Sequence, residues 1–450
     1  MSLPLVAIVG RPNVGKSTLF NRFAGRDRAL VQEIPGVTRD LNYAEVKFRD
    51  KRFHLVDTGG LSTVHTDELT TEVNLQVDVA IEAADAIILL LDGREGPTAE
   101  DEDIVARLRR IRKPVFWAVN KLESRKPETA LIDFYRLGVD KLYAISAREK
   151  TGVGELFADI VREFPADTRA PFDPDDETRP MHVAFVGAPN VGKSSLINRI
   201  LGEKRLIVSE IPGTTRDAID VPFRLDDRPY VLIDTAGIRR RSKVSYVLEK
   251  LSVIKALQAL DRTDIAVIMH DATEPLTDQT LRIFSYAEDR GRGVIFAFNK
   301  VDLVKGDRDW RKKIEHDLDR RLQGLVWAPV IFLSAATGEG VHDLFAAIGA
   351  VRENQMRRLQ TGPLNRFLEA AVAHHGPPPS KNKPVKFYYA TQTSVRPPTF
   401  VIFTNQPSGV HFAYRRYLVN RLRDFAPFEG SPIRLHFKVS PKGEREIGSR

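Results

Sequence analysis

The chain has 450 residues, 42% hydrophobic and 28% charged, with a net charge of +8 and no cysteine. That length points to about three domains with cores of their own, and the missing cysteines exclude disulfides and thiolate metal sites. No apolar run nears the roughly 18 residues of a membrane span, so AIILLL at 86–91 reads as a core strand. The opening MSLPLVAIVG has no basic leader and runs straight into a glycine loop, which argues against a signal peptide and for a cytoplasmic setting. Charge is uneven: residues 351–450 carry 17 Lys and Arg against 6 Asp and Glu, more than the whole net charge. Such a tail is either a solvated positive surface or a face for a polyanion, nucleic acid before membrane.

In chain order, the first apolar runs are LVAIVG, FHLVD, AIILLLD, VFWAVN and LYAIS. Between them lie segments of helical period, expected to begin near Lys16, Glu68, Ala99, Pro127 and Gly154. Strands apolar on both faces and separated by helices predict a doubly wound, mostly parallel α/β sheet, with functional residues at strand C-terminal ends. A proline- and acid-rich stretch without periodicity follows and reads as a linker.

After the linker the chain repeats itself. LVAIVGRPNVGKSTLFNR at 5–22 returns as HVAFVGAPNVGKSSLINR at 182–199; IPGVTRD at 34–40 returns as IPGTTRD at 211–217. LVDTGGL at 55–61 returns as LIDTAGI at 232–238, WAVNKLE at 117–123 as FAFNKVD at 296–302, and ISAR at 145–148 as LSAA at 333–336. A whole domain has been duplicated, with a period far longer than that of a solenoid. The tail then runs helix (363–375), strand, strand, helix (411–425), strand (433–440), a small α+β domain. The expected boundaries are 1–164, a linker at 165–180, 181–355, and 356–450.

G-x-x-x-x-G-K-S occurs twice, as GRPNVGKS at 10–17 and GAPNVGKS at 187–194, each after an apolar strand and at the start of a helix. Gly10, Gly15, Gly187 and Gly192 let backbone N–H groups wrap phosphates. Lys16 and Lys193 are placed to reach the β- and γ-phosphates, and Ser17 and Ser194 to ligate Mg²⁺; Thr18 and Ser195, directly after the loops, are expected to bind the nucleotide as well. NKVD at 299–302 separates guanine from adenine: Asp302 can accept from the N1 and N2 donors of guanine. Asn299 and Lys300 would hold the loop and cover the base, while Ser334 and Ala335 would offer a backbone N–H to its carbonyl. In the first copy the corresponding residues are Asn120, Lys121, Glu123, Ser146 and Ala147, with glutamate where aspartate is usual. The order of motifs, twice over, predicts GTP and GDP as ligands.

These motifs resemble the Era-like GTPases, and the tandem with its tail is similar to the EngA/Der family: two P-loop GTPase domains followed by a KH-like domain. The resemblance implies a GTP-hydrolysing nucleotide switch in biogenesis of the large (50S) ribosomal subunit. Its partners would be that subunit and its rRNA, with no membrane, and the chain would act as a monomer. It further implies that Thr38 and Thr215 ligate Mg²⁺, that Asp57 and Asp234 approach the metal, and that Gly60 and Gly237 donate N–H to the γ-phosphate. Asn13 and Asn190 occupy the position that ligates K⁺ in related GTPases, or they cap the loop.

Both copies lack the water-orienting glutamine after the switch glycine: Leu61 and Ile238 stand there. One reading keeps hydrolysis, with water held by backbone groups and charge supplied otherwise, on Lys16, Thr38, Gly60 and their counterparts Lys193, Thr215 and Gly237. The other is a non-catalytic GTP/GDP-binding module whose domain arrangement controls a protein or membrane partner. Arg39 and Arg216 read as structural, and RRRSK at 239–243 as a solvated run. The tail has no G-x-x-G between its helices, and its Arg415, Arg416, Arg421 and Arg423 either meet RNA phosphates or solvate a helix. His374 and His375 read as loop.

Overall fold

A computed structural model describes residues 3–24, 42–61, 77–123, 131–164, 176, 178–202, 207–208, 220–225, 228–233, 245–322, 327–380 and 383–440. They form two compact units, one of residues 1–170 with 242–258, the other of 171–241 with 259–450.

In the first unit, strands β1 (Leu5–Val9), β2 (Asn42–Phe48), β3 (Lys51–Asp57), β4 (Ala86–Asp92), β5 (Val115–Asn120) and β6 (Leu142–Ala144) make one sheet in the order β2-β3-β1-β4-β5-β6. β2 runs antiparallel to β3, and the pairs from β3 through β6 are parallel. Helices α1 (Lys16–Ala24), α2 (Ala99–Leu108), α3 (Ile132–Tyr135) and α4 (Val153–Arg162) accompany it. The sheet has a core on each face. Leu5, Ala7, Leu89 and Leu91 enter one, and Val6, Ile8, Ile88 and Leu90 the other. The alternation explains the unbroken apolar runs, because both pleat faces are dry. α4 fills the second core with Leu156, Phe157, Ile160 and Val161; full burial of each stabilises by about 1.5–3 kcal/mol.

The second unit repeats the plan with β7 (Met181–Val186), β8 (Ile207–Val208), β9 (Val221–Leu225), β10 (Arg228–Ile233), β11 (Ile265–Asp271), β12 (Gly293–Asn299) and β13 (Val330–Phe332). Its order is β13-β12-β11-β7-β10-β9-β8, with helices α5 (Lys193–Gly202), α6 (Ser245–Asp261), whose residues up to 258 belong to the first unit, α7 (Asp278–Asp289), α8 (Trp310–Leu322) and α9 (Val341–Met356). The tail follows as α10 (Thr361–His374), β14 (Phe387–Ser394), β15 (Thr399–Thr404), α11 (Phe412–Phe425) and β16 (Arg434–Val439). β14 is antiparallel to β15 and β16 parallel to it. The expected order is therefore found, and the helices expected near Lys16, Ala99 and Gly154 start at Lys16, Ala99 and Val153. Glu68 and Pro127 lie outside the described residues.

The basic stripe of α11 does not act as one surface. Arg423 donates to the carbonyls of Phe428 and Ser431, both at 2.8 Å, and its guanidinium lies 5.1 Å from the Trp327 ring centroid. The Trp327 indole in turn donates to Glu288 at 3.1 Å. Arg423 thus fastens the tail to the second G domain. Arg415 stacks on Phe437, 4.9 Å from the ring centroid, while Arg416 and Arg421 are exposed. Tyr414 and Tyr417 donate to the carbonyls of His375 and Ala371, tying α11 to α10. His375 packs on both tyrosine rings, and among the described residues no group of three or more potential ligand side chains gathers around a metal position.

Candidate GTP-binding sites

Each P-loop leaves the C-terminal end of its central strand, β1 or β7, and turns into α1 or α5. Gly15 and Gly192 have φ of +101° and +96°, and a Cβ at either would collide with the side-chain amide of Asn120 or Asn299. Only glycine allows that close pass. Asn13 and Asn190 both sit at φ +64°. Asparagine tolerates this left-handed backbone better than most residues, which by itself accounts for its presence there.

The P-loop lysines fold back over their own loops. Lys16 Nζ donates to the carbonyls of Gly10 (2.7 Å) and Arg11 (2.8 Å), and Lys193 Nζ to those of Gly187 (2.9 Å) and Ala188 (2.6 Å). Burial pushes the Lys193 ammonium down to about 8, and an anionic phosphate chain beside it would favour the charged form. Ser17 Oγ donates to Asp57 Oδ2 at 2.6 Å, and Asp57 Oδ1 accepts the Gly59 N–H at 2.9 Å. An Oγ and a buried carboxylate converging beside the phosphate loop form an all-oxygen donor set suited to Mg²⁺. Gly60 lies in the 3₁₀ turn Thr58–Leu61 directly after β3. Thr38, Thr215, Asp234 and Gly237 lie outside the described residues, as do Arg39, Arg216 and the 239–243 run.

The base side is built from an asparagine clasp. Asn120 Nδ2 donates to the Val14 carbonyl (2.8 Å) while its Oδ1 accepts the Ala147 N–H (2.9 Å). Asn299 does the same with Val191 (2.8 Å) and Ala335 (2.8 Å). The clasp locks phosphate loop to base loop. It also occupies the N–H expected to face the guanine carbonyl, so a base would share that donor as a bifurcated bond. Lys121 and Lys300, at φ +68° and +67°, each reach a carboxylate at 2.5 Å, Asp92 and Asp271. Burial raises both aspartates, but the lysine bond and turn N–H groups outweigh it and leave them lowered. These aspartates anchor the two lysine side chains.

Sequence reasoning passed over two supports. Asp92 and Asp271 end the apolar strands AIILLLD and IAVIMHD, which lie at corresponding places in the two copies. Arg22 and Arg199 end the repeated FNR and INR. Their Nε atoms donate to the carbonyls of Ala147 (2.9 Å) and Ala335 (2.6 Å), bracing the base loop from the helix. Two differences separate the sites. Arg11 bonds buried Asp101 (3.0 Å) and Glu95 (3.2 Å), where the second copy has only Ala188. Asp302 Oδ1 is buried with no hydrogen-bond partner, an orphan acceptor where a guanine N–H would donate. Both oxygens of Glu123, by contrast, hold protein donors.

The family described as "50S ribosome-binding GTPase" matches residues 5–121 and 182–300, and "KH-domain-like of EngA bacterial GTPase enzymes, C-terminal" matches 358–438. GTPase Der of Caldanaerobacter subterraneus subsp. tengcongensis is 47% identical over 97% of this chain and 99% of its own length. GTPase Der of Citrifermentans bemidjiense is 46% identical over 98% and 99%. On these relatives, with a tandem of GTPase domains and a KH-like tail, the chain belongs to the GTPase Der (EngA) family of GTP-binding, GTP-hydrolysing switches.

Proposed function

We propose that this GTPase acts as a switch in biogenesis of the large ribosomal subunit, with that subunit and its rRNA as partners. The observation that supports it is the pairing of two guanine sites with a family described as 50S ribosome-binding, on a chain whose basic charge is concentrated in the tail. Among the described residues no helix is long and apolar enough to cross a membrane. The working arrangement is a cytoplasmic monomer with G domains at 1–164 and 181–355, a linker at 165–180 and a KH-like domain at 356–450. Because Arg423 is consumed internally, the RNA-facing charge falls to exposed residues such as Arg416 and Arg421.

Mg²⁺, when bound, neutralises developing charge on the phosphates. The residues proposed to hold it are Ser17, Thr38 and Asp57 in one site, Ser194, Thr215 and Asp234 in the other. Lys16 and Lys193 bind the β- and γ-phosphates, and the Gly60 and Gly237 N–H groups sense the γ-phosphate. With Leu61 and Ile238 in place of glutamine, the remaining charge compensation is assigned to K⁺ at Asn13 and Asn190. Asn190→Ala should abolish K⁺ stimulation of phosphate release at the second site and largely spare GTP affinity; unchanged stimulation would refute that assignment. The ribosomal role is tested by binding to purified large subunits with a non-hydrolysable GTP analogue or GDP. Tighter association in the GTP state supports it, and indifference to nucleotide contradicts it.

A further inference from the structure

The two base-reading carboxylates differ by more than a methylene. Glu123 Oε1 accepts from Ser146 Oγ at 3.1 Å, and Oε2 from a guanidinium N–H of Arg94 at 3.1 Å. Ser146 Oγ itself accepts the Glu149 N–H at 3.0 Å, so it has a proton to give. Asp302 Oδ1 has no partner at all. Arg94 stands two residues after the lysine-binding Asp92, and the same place after Asp271 is Thr273, whose hydroxyl turns back to Asp271 at 2.7 Å. The second copy therefore has no counterpart to the arginine.

We propose that Arg94 is a positioning residue for guanine selectivity at the first site. With Ser146 it pins the longer Glu123 carboxylate in the base-reading place that Asp302 reaches on its shorter arm. This rests on the reading of Glu123 as the guanine-binding carboxylate. A glutamate has one more side-chain torsion than an aspartate, and an untethered carboxylate would spread over several rotamers. Donors on both oxygens fix its plane. An ionised carboxylate has about four acceptor positions, so two stay open for the N1–H and N2–H of guanine. The Arg94 side chain is 61% exposed, so the pair adds little as an attraction; its effect lies in orientation.

The experiment uses the full chain carrying Lys193→Ala to silence the second site, titrated calorimetrically with GDP and with inosine 5′-diphosphate, which keeps N1–H and lacks the exocyclic amine. Arg94→Ala should weaken GDP about two- to fivefold, the range of an exposed pair, and should lower the GDP-to-IDP ratio. Arg94→Lys should recover most of the loss. In a Glu123→Asp background Arg94→Ala should have no effect, because the shorter carboxylate no longer uses the tether. If Glu123→Ala collapses the ratio while Arg94→Ala leaves it unchanged or raises it, the proposal for Arg94 is overturned and Glu123 stands. Equal weakening of both nucleotides by Arg94→Ala would also overturn it, as a structural effect. If Glu123→Ala leaves the ratio intact, the underlying reading of Glu123 is wrong.

Discussion

The two nucleotide sites share a skeleton and differ in their trim. Asparagine clasp, lysine–aspartate pair and helix arginine recur with distances that agree within 0.3 Å: 2.8 and 2.8 Å, 2.5 and 2.5 Å, 2.9 and 2.6 Å. Around that skeleton, the first copy adds Arg11 on the phosphate side and Arg94 on the base side, while the second leaves Ala188 and Thr273 there. The shared groups are those whose loss would leave a buried donor or acceptor bare, which is costly. Of the variable ones, Arg94 is a largely exposed cation, where exchange is cheap, while Arg11 is mostly covered and holds the buried Asp101.

The largest expected effect separates the copies outright. Lys16→Ala or Lys193→Ala should each remove about 3–5 kcal/mol of nucleotide binding at its own site, as truncating a buried charge partner does. Site-resolved titration of GDP should show the other site untouched. A loss at both would mean that the sites are not independent in binding. Next, Asn120→Ala and Asn299→Ala each strand a carbonyl and an N–H. Each should cost about 2–3 kcal/mol of local stability, read as earlier amide exchange in the affected base loop, and unequal costs would break the claim of a common skeleton. Arg22→Ala and Arg199→Ala should do the same more weakly, by about 1–2 kcal/mol. The smallest effect is the exchange of trim: Asp302→Glu lacks an arginine tether and should lose about 0.5–1 kcal/mol of GDP affinity, seen in a titration with the first site silenced by Lys16→Ala. No loss would show that the extra torsion needs no support.

Much of this was legible in the sequence. The repeat marked the residues expected to meet phosphate and base, and alternation of apolar runs with helical segments gave the order of elements. Arg22 was visible in the repeat and Asp92 at the end of an apolar run, yet their partners, the Ala147 carbonyl and Lys121, meet them only once the sheet is folded. Arg423 was the hardest case. By pattern it is one more cation on a basic helix; its setting against Trp327, far away in sequence, is decided by how the tail packs on the second G domain. Periodicity assigns a residue to a face, and it cannot say what covers that face. The asparagine at φ +64° teaches a related point, since a residue type can answer to backbone shape as well as to a ligand.

The central claim is that each copy of the duplicated domain is a complete and separate guanine-nucleotide site. Counting GDP bound per full-length chain at saturation tests it most directly, with the wild type set beside the Lys16→Ala and Lys193→Ala variants. The account predicts two molecules per wild-type chain and one in either variant. One molecule per wild-type chain, or none left in a single variant, would contradict it.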